Sequence, residues 1–66
     1  MIPIKYFWSS REPTTSEIQE AMNMTRKENC VVIIKWEAFK YPYSMTVHAN
    51  MSFEECERQI PKVYGL

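Results

Sequence analysis

Glycine is almost absent from this chain of 66 residues, because Gly65 is the only one. P-loops and dinucleotide-binding turns need several glycines, so that the backbone can approach a phosphate closely. Aspartate is missing altogether and every acidic residue is a glutamate, whereas EF-hand loops and many magnesium sites depend on aspartate. We therefore expect no nucleotide site of these two kinds, and no calcium or magnesium site.

Thiol and imidazole groups are few, since only Cys30, Cys56 and His48 carry them. A structural zinc site normally needs four ligands, often in close pairs, so we expect no metal. Two cysteines in a small chain without an export signal favour buried reduced thiols over a disulfide. The predicted elements point Cys56 inward and His48 outward, which separates them as a nucleophile pair. We expect no enzyme and no cofactor.

Long apolar runs are also lacking, because the longest, residues 30–34, is far shorter than the roughly 20 residues that span a bilayer. Residues 1–8 carry one lysine and alternate in polarity, unlike a signal peptide. Eight basic residues balance eight glutamates, so no global field favours nucleic acid or an anionic membrane. We expect a complete small cytoplasmic protein with no membrane partner.

Apolar residues make up 45% of the chain, and their spacing predicts both strands and helices. Alternation predicts strands over residues 2–8, 30–39 and 43–51. Two capping boxes, beginning at Thr14 and Ser52, predict two helix starts. The first helix should end at Asn29 and the second just before Pro61. Residues 62–66 are left open as a loop or a fourth strand.

The predicted element order is β-α-β-β-α, within a single domain over residues 1–66. We expect an α+β two-layer sandwich, in which both helices cover one face of the sheet. The order resembles a truncated ferredoxin-like arrangement, which implies nothing about function. The covered face is expected to carry Ile4, Trp8, Ile34, Trp36, Met45 and Val47.

The opposite, uncovered face is expected to carry Phe7 and Lys5 from the first strand and Val31, Ile33 and Lys35 from the second. Phe7 flanked by lysines is a thin version of an RNA-binding sheet, but the glycine-containing motif of the common RNA-recognition fold is missing. Val31 and Ile33 favour a protein partner or self-association.

The second predicted strand is the most apolar one, and a ferredoxin-like order would place it at an edge of the sheet. A long apolar edge invites pairing. We therefore expect strand addition by a partner or a homodimer through this strand, although a central position would need no partner.

Three aromatic residues surround Pro42 in the segment FKYPYS, and we expect Phe39, Tyr41 and Tyr43 at the tip of a hairpin. The Tyr41–Pro42 bond could be cis, as in a type VI turn, or trans. The tip is either an interaction hot spot or a place where Phe39 and Tyr43 pack on the core and only Tyr41 is exposed.

These patterns predict a small protein-binding module, an inhibitor or adaptor that occupies a surface of a larger protein. A compact, neutral chain without catalytic motifs also suits a phage or mobile-element accessory protein. The alternatives are a weak single-stranded nucleic-acid binder that uses the uncovered face and a non-catalytic homodimeric subunit. The residues predicted to contact a partner are Phe39, Tyr41, Tyr43, Val31, Ile33, Lys35 and Phe7.

Overall fold

The computed structural model describes residues 1–61 and shows an α+β fold with three strands and two helices. This element order confirms the sequence prediction, and the possible fourth strand falls on residues 62–66, outside the described part of the chain. The elements are β1 Ile4–Trp8, α1 Thr15–Glu28, β2 Val31–Ala38, β3 Tyr41–Val47 and α2 Phe53–Glu57.

The sheet is open and mixed, with β2 in its centre, β1 parallel to it on one side and β3 antiparallel on the other. A ferredoxin-like sheet would place β1 beside β3, so the strand order differs from that arrangement. The prediction of β2 as an edge strand is wrong, and so is the homodimer through it, because both of its edges are already paired. Its apolar character on two faces is that of a central strand.

Both helices begin where the capping boxes predict. The Thr14 hydroxyl accepts from the Glu17 N–H at 3.3 Å, and the Glu17 carboxylate accepts from the Thr14 N–H at 2.8 Å. Helix α1 ends at Asn29, whose left-handed backbone (φ 51°) turns the chain so that the Cys30 N–H also donates to the Thr25 carbonyl, at 3.3 Å. Helix α2 starts after Ser52 in the same way but ends earlier than predicted. Neither described helix has the length and apolar character that a bilayer span requires.

The core lies between the two helices and one face of β2 and β3, which we call the helix face. Strand β1 contributes little to it, and the prediction that Ile4 and Trp8 belong to the core is wrong, because both are exposed. The register pairs Ile4 with Val31 and Trp8 with Lys35, which turns both side chains to the face away from the helices. The buried apolar residues are Ile18, Ala21, Met22, Cys30, Val32, Ile34, Trp36, Met45, Val47, Cys56 and Ile60.

The hairpin between β2 and β3 turns through two residues, Phe39 and Lys40, both with positive φ (52° and 67°). Positive φ at both central positions is the signature of a type I′ turn. Tyr41 and Pro42 therefore already belong to β3, and their peptide bond is trans, since residues 1–61 contain no cis bond. The turn lies nearer to the N-terminus than the sequence predicted.

Candidate functional site

The face of the sheet away from the helices, which we call the open face, carries a row of large side chains. The register pairs Lys5 with Val32 and Phe7 with Ile34, so these β1 residues point to the helix face and the alternate β1 residues point to the open face. The open face carries Ile4, Tyr6 and Trp8 from β1 and, beside them, Val31, Ile33 and Lys35 from β2.

Lys35 lies between two aromatic rings on this face. Its ammonium nitrogen is 5.1 Å from the centroid of the Tyr6 ring and 5.7 Å from that of Trp8. An ammonium within about 6 Å of a ring centroid is attracted by the ring quadrupole. These three residues, the aromatic–lysine cluster, contact one another on a regular strand pair.

The cluster is unusually open to solvent for residues of this size. Trp8 is 76% exposed, Tyr6 is 56% exposed and Ile4 beside them is 53% exposed. Contiguous exposed apolar side chains of this kind mark interaction sites more often than scattered single ones do. The open face is therefore the strongest candidate for a binding surface in the described part of the chain.

The outer edge of β1 is the second open feature. The Pro3 carbonyl accepts from the Val31 N–H at 2.9 Å, and the Ser9 N–H donates to the Lys35 carbonyl at 2.8 Å. Since backbone groups alternate along a strand, the odd-numbered residues of β1 bond to β2. The N–H and C=O groups of Ile4, Tyr6 and Trp8 therefore point away from β2, and within residues 1–61 no strand pairs with them.

A groove of about 170 Å³ lies on the helix face where β1 extends beyond the helix layer, and it contains carboxylates. Glu17 in this groove has a lowered pKa, chiefly because its carboxylate accepts from the Thr14 N–H, with help from Arg11 nearby. That carboxylate serves the helix cap and is already bonded. The lining residues are Phe7, Trp8, Ser9, Glu17, Glu20 and Ile34.

At the other end of β1, Lys5 forms an ion pair with Glu28 at the end of α1. The hydrogen bond to Glu28 raises the pKa of Lys5. This pair ties β1 to the helix layer and balances the charge of Lys5.

The structure brings together part of the predicted partner-binding set. Val31, Ile33 and Lys35 lie on the open face as expected, whereas Phe7 lies on the helix face, because the register of β1 is opposite to the one assumed. The sequence reasoning assigned Ile4 and Trp8 to the covered face and did not include Tyr6 among the partner-binding residues. The apolar character of β2 on both faces indicates a central β2 and an edge β1, but the face of β1 follows only from its register with β2.

The aromatic residues of the hairpin separate into two environments. Phe39 and Tyr41 are exposed, at 71% and 65%. Tyr43 is half-buried and stacks on Trp36, with ring centroids 5.7 Å apart and an interplanar angle of 19°. Tyr43 is therefore part of the packing of β3, and only the first two of the three rings extend the exposed surface.

Neither cysteine belongs to a candidate functional site. Cys30 and Cys56 are both buried and unpaired, which confirms the prediction for them. Burial raises the pKa of the Cys56 thiol, and this disfavours the thiolate that a nucleophile needs. Within residues 1–61 no three metal-ligating side chains come together. Comparison of the chain with protein-family models, with curated proteins and with solved structures found no match.

Proposed function

We propose that this protein is a protein-binding module, acting as an inhibitor or adaptor through the open face. The observation that carries the proposal is the exposed indole of Trp8, held on a strand beside Lys35 and Tyr6. Trp and Tyr dominate binding hot spots, because they bring a large contact area with few rotatable bonds. A partner that covers this cluster removes apolar surface from water at little entropic cost.

The charge pattern of the open face supports a protein partner over a polyanion. In the described strands, Lys35 and Glu37 are its only charged side chains, and they lie two residues apart on β2. A protein surface with a pocket for Trp8 and a carboxylate near Lys35 complements this pattern. Repeated phosphates require several cations, which the described open face lacks.

The test compares Trp8 on the open face with Phe39 in the hairpin turn, since the two aromatic side chains are similarly exposed. A partner is first captured from a cell lysate with the unchanged protein. Trp8→Ala should weaken binding of that partner by about 2 kcal/mol or more, as truncation of a hot spot does. Phe39→Ala, at the hairpin tip, is the matched control and should change affinity little. Circular dichroism checks that both variants remain folded. Equal losses from both variants, or none from Trp8→Ala, would remove the open face as the binding surface.

A second candidate, single-stranded nucleic-acid binding, is favoured by one specific observation. Tyr6 and Trp8 flank Lys35 on an uncovered sheet face, and aromatic platforms with adjacent cations are what single strands stack on. Binding of this kind weakens steeply with salt. Micromolar binding of an oligonucleotide at about 0.15 M salt, abolished by Trp8→Ala with Lys35→Ala, would replace the protein-binding proposal.

A further inference from the structure

The outer edge of β1, with which no strand among residues 1–61 pairs, is the feature that carries a further inference. We infer that it pairs with the same edge of a second copy of this chain, antiparallel and centred on Tyr6. Pairing of this kind would join the two three-stranded sheets into one. The inference does not depend on the proposed partner, since it concerns an edge of the sheet and not the open face.

Of the devices that normally prevent pairing, an outward proline and a bulge are absent from β1, and its one charged side chain, Lys5, is directed to the helix face and is paired with Glu28. Pro3 does not protect the outer side, because its carbonyl bonds to Val31 and its missing N–H falls on the β2 side. The opposite edge of the sheet is different, since Pro42 occupies an outward position of β3 and removes a donor there.

A second copy fits this edge because the strand is complementary to itself. In an antiparallel pair centred on Tyr6, Ile4 lies opposite Trp8 of the second copy, and each outward residue exchanges both of its backbone hydrogen bonds. Cross-strand pairs of an aromatic and a β-branched residue are favourable.

The charges allow the same register. Lys5 faces Phe7 of the second copy, so no like charges meet, and the chain has no net charge to drive copies apart. A two-fold axis at Tyr6 also places both open faces on the same side of the joined sheet. The dimer therefore presents two aromatic–lysine clusters in one continuous surface.

The contact area sets the expected strength. Aromatic side chains bring about 150–250 Å² each, and those of β1 are 36–76% exposed. Edge pairing buries only part of each ring and leaves both faces of the sheet open, so the interface is smaller than the roughly 800 Å² per copy of a standard interface. We therefore expect a reversible dimer with a micromolar dissociation constant.

Sedimentation velocity of the purified chain, from about 1 µM to about 1 mM, tests the inference with a matched pair of proline variants. Tyr6→Pro removes an outward N–H from β1 without breaking a bond to β2, whereas Ser44→Pro removes an outward N–H from β3. The unchanged chain and Ser44→Pro should dimerise with rising concentration, and Tyr6→Pro should remain monomeric. A monomer at every concentration, or equal dimerisation of Tyr6→Pro, would overturn the inference.

A charge exchange tests the register and covers the possibility that a proline variant fails to fold. Tyr6→Lys and Tyr6→Glu, each alone, place like charges across the two-fold axis and should weaken dimerisation at least tenfold. A mixture of the two should recover dimers, seen as heterodimers in native mass spectrometry. If the mixture stays monomeric, position 6 does not face itself, and the proposed dimer is wrong.

Discussion

The side-chain amide of Gln59 bonds to both backbone groups of Thr46, donating from Nε2 to the carbonyl at 2.7 Å and accepting at Oε1 from the N–H at 3.0 Å. These groups of Thr46 lie on the outer side of β3, where a neighbouring strand would otherwise bond. One side chain thus takes the place of a strand and protects this edge of the sheet. Within residues 1–61, no strand pairs with the outer side of β1.

Gln59→Ala should lower the free energy of unfolding by about 1–2 kcal/mol, because two partly buried hydrogen bonds are lost. Urea denaturation measures the change. Gln59→Glu keeps an acceptor for the Thr46 N–H but places a carboxylate oxygen against the Thr46 carbonyl, so it should destabilise the fold as well. A change of less than about 0.5 kcal/mol in both variants would show that the amide does not act as a strand mimic.

Substitutions in the hairpin turn should stabilise the fold. Phe39 and Lys40 both hold a left-handed backbone, which costs non-glycine residues roughly 1 kcal/mol or more each. Phe39→Asn combined with Lys40→Gly supplies the pair that a type I′ turn favours, and thermal unfolding should show a gain of about 1–2 kcal/mol. Phe39→Ala alone should give no such gain. A loss of stability in the double variant would mean that the Phe39 ring stabilises the fold.

The two tyrosines of β3 should respond differently to truncation. Tyr43→Ala removes a half-buried ring stacked on Trp36 and should destabilise the fold by about 2 kcal/mol. Tyr41→Ala removes an exposed ring and should change stability by less than about 0.5 kcal/mol. Chemical denaturation of both variants checks this difference, and the opposite ranking would contradict the packing of β3 described above.

The capping boxes predict a loss of stability in acid. Backbone N–H groups of Thr14 and Ser52 lower the pKa of Glu17 and Glu55 below the ordinary value of 4.5. A lowered folded-state pKa contributes stability above the unfolded value, which is lost as pH falls through the folded pKa. Urea midpoints should therefore decrease from about pH 5 to about pH 2, with a flatter decrease in the double variant Glu17→Gln, Glu55→Gln. An unchanged slope would mean that other groups control acid stability.

The helix starts could be predicted from residues close together in the sequence. The face of β1 could not, because it depends on contacts with residues far away in the sequence. The capping boxes at Thr14 and Ser52 are completed within four residues, so the sequence alone specifies them. The face of β1 depends on its register with β2 and on how far the helix layer extends. Alternation placed Ile4 and Trp8 together correctly but on the wrong face, because the more apolar side of an edge strand need not meet a core.

The position of the hairpin turn could not be predicted from the sequence because its two central residues are not those that this turn type usually contains. Type I′ turns are usually recognised by Asn and Gly, and Phe39-Lys40 has neither. Pro42 attracted the prediction instead, although proline is also accepted on an outward position of an edge strand. The candidate binding surface was also predicted only in part. The alternation of β2 placed Lys35 on the open face, but its contacts with Tyr6 and Trp8 depend on the register between β1 and β2.

The dependence of β1 on a single partner strand has a consequence for synthesis of the chain. Ribosomes add about 5–20 residues each second, starting from the N-terminus, so β1 leaves the exit tunnel well before β2. Until Val31 and the residues after it emerge, the segment from Ile4 to Trp8 has nothing to pair with. The nascent chain therefore leaves its most aromatic strand without its pairing strand for seconds during each round of synthesis.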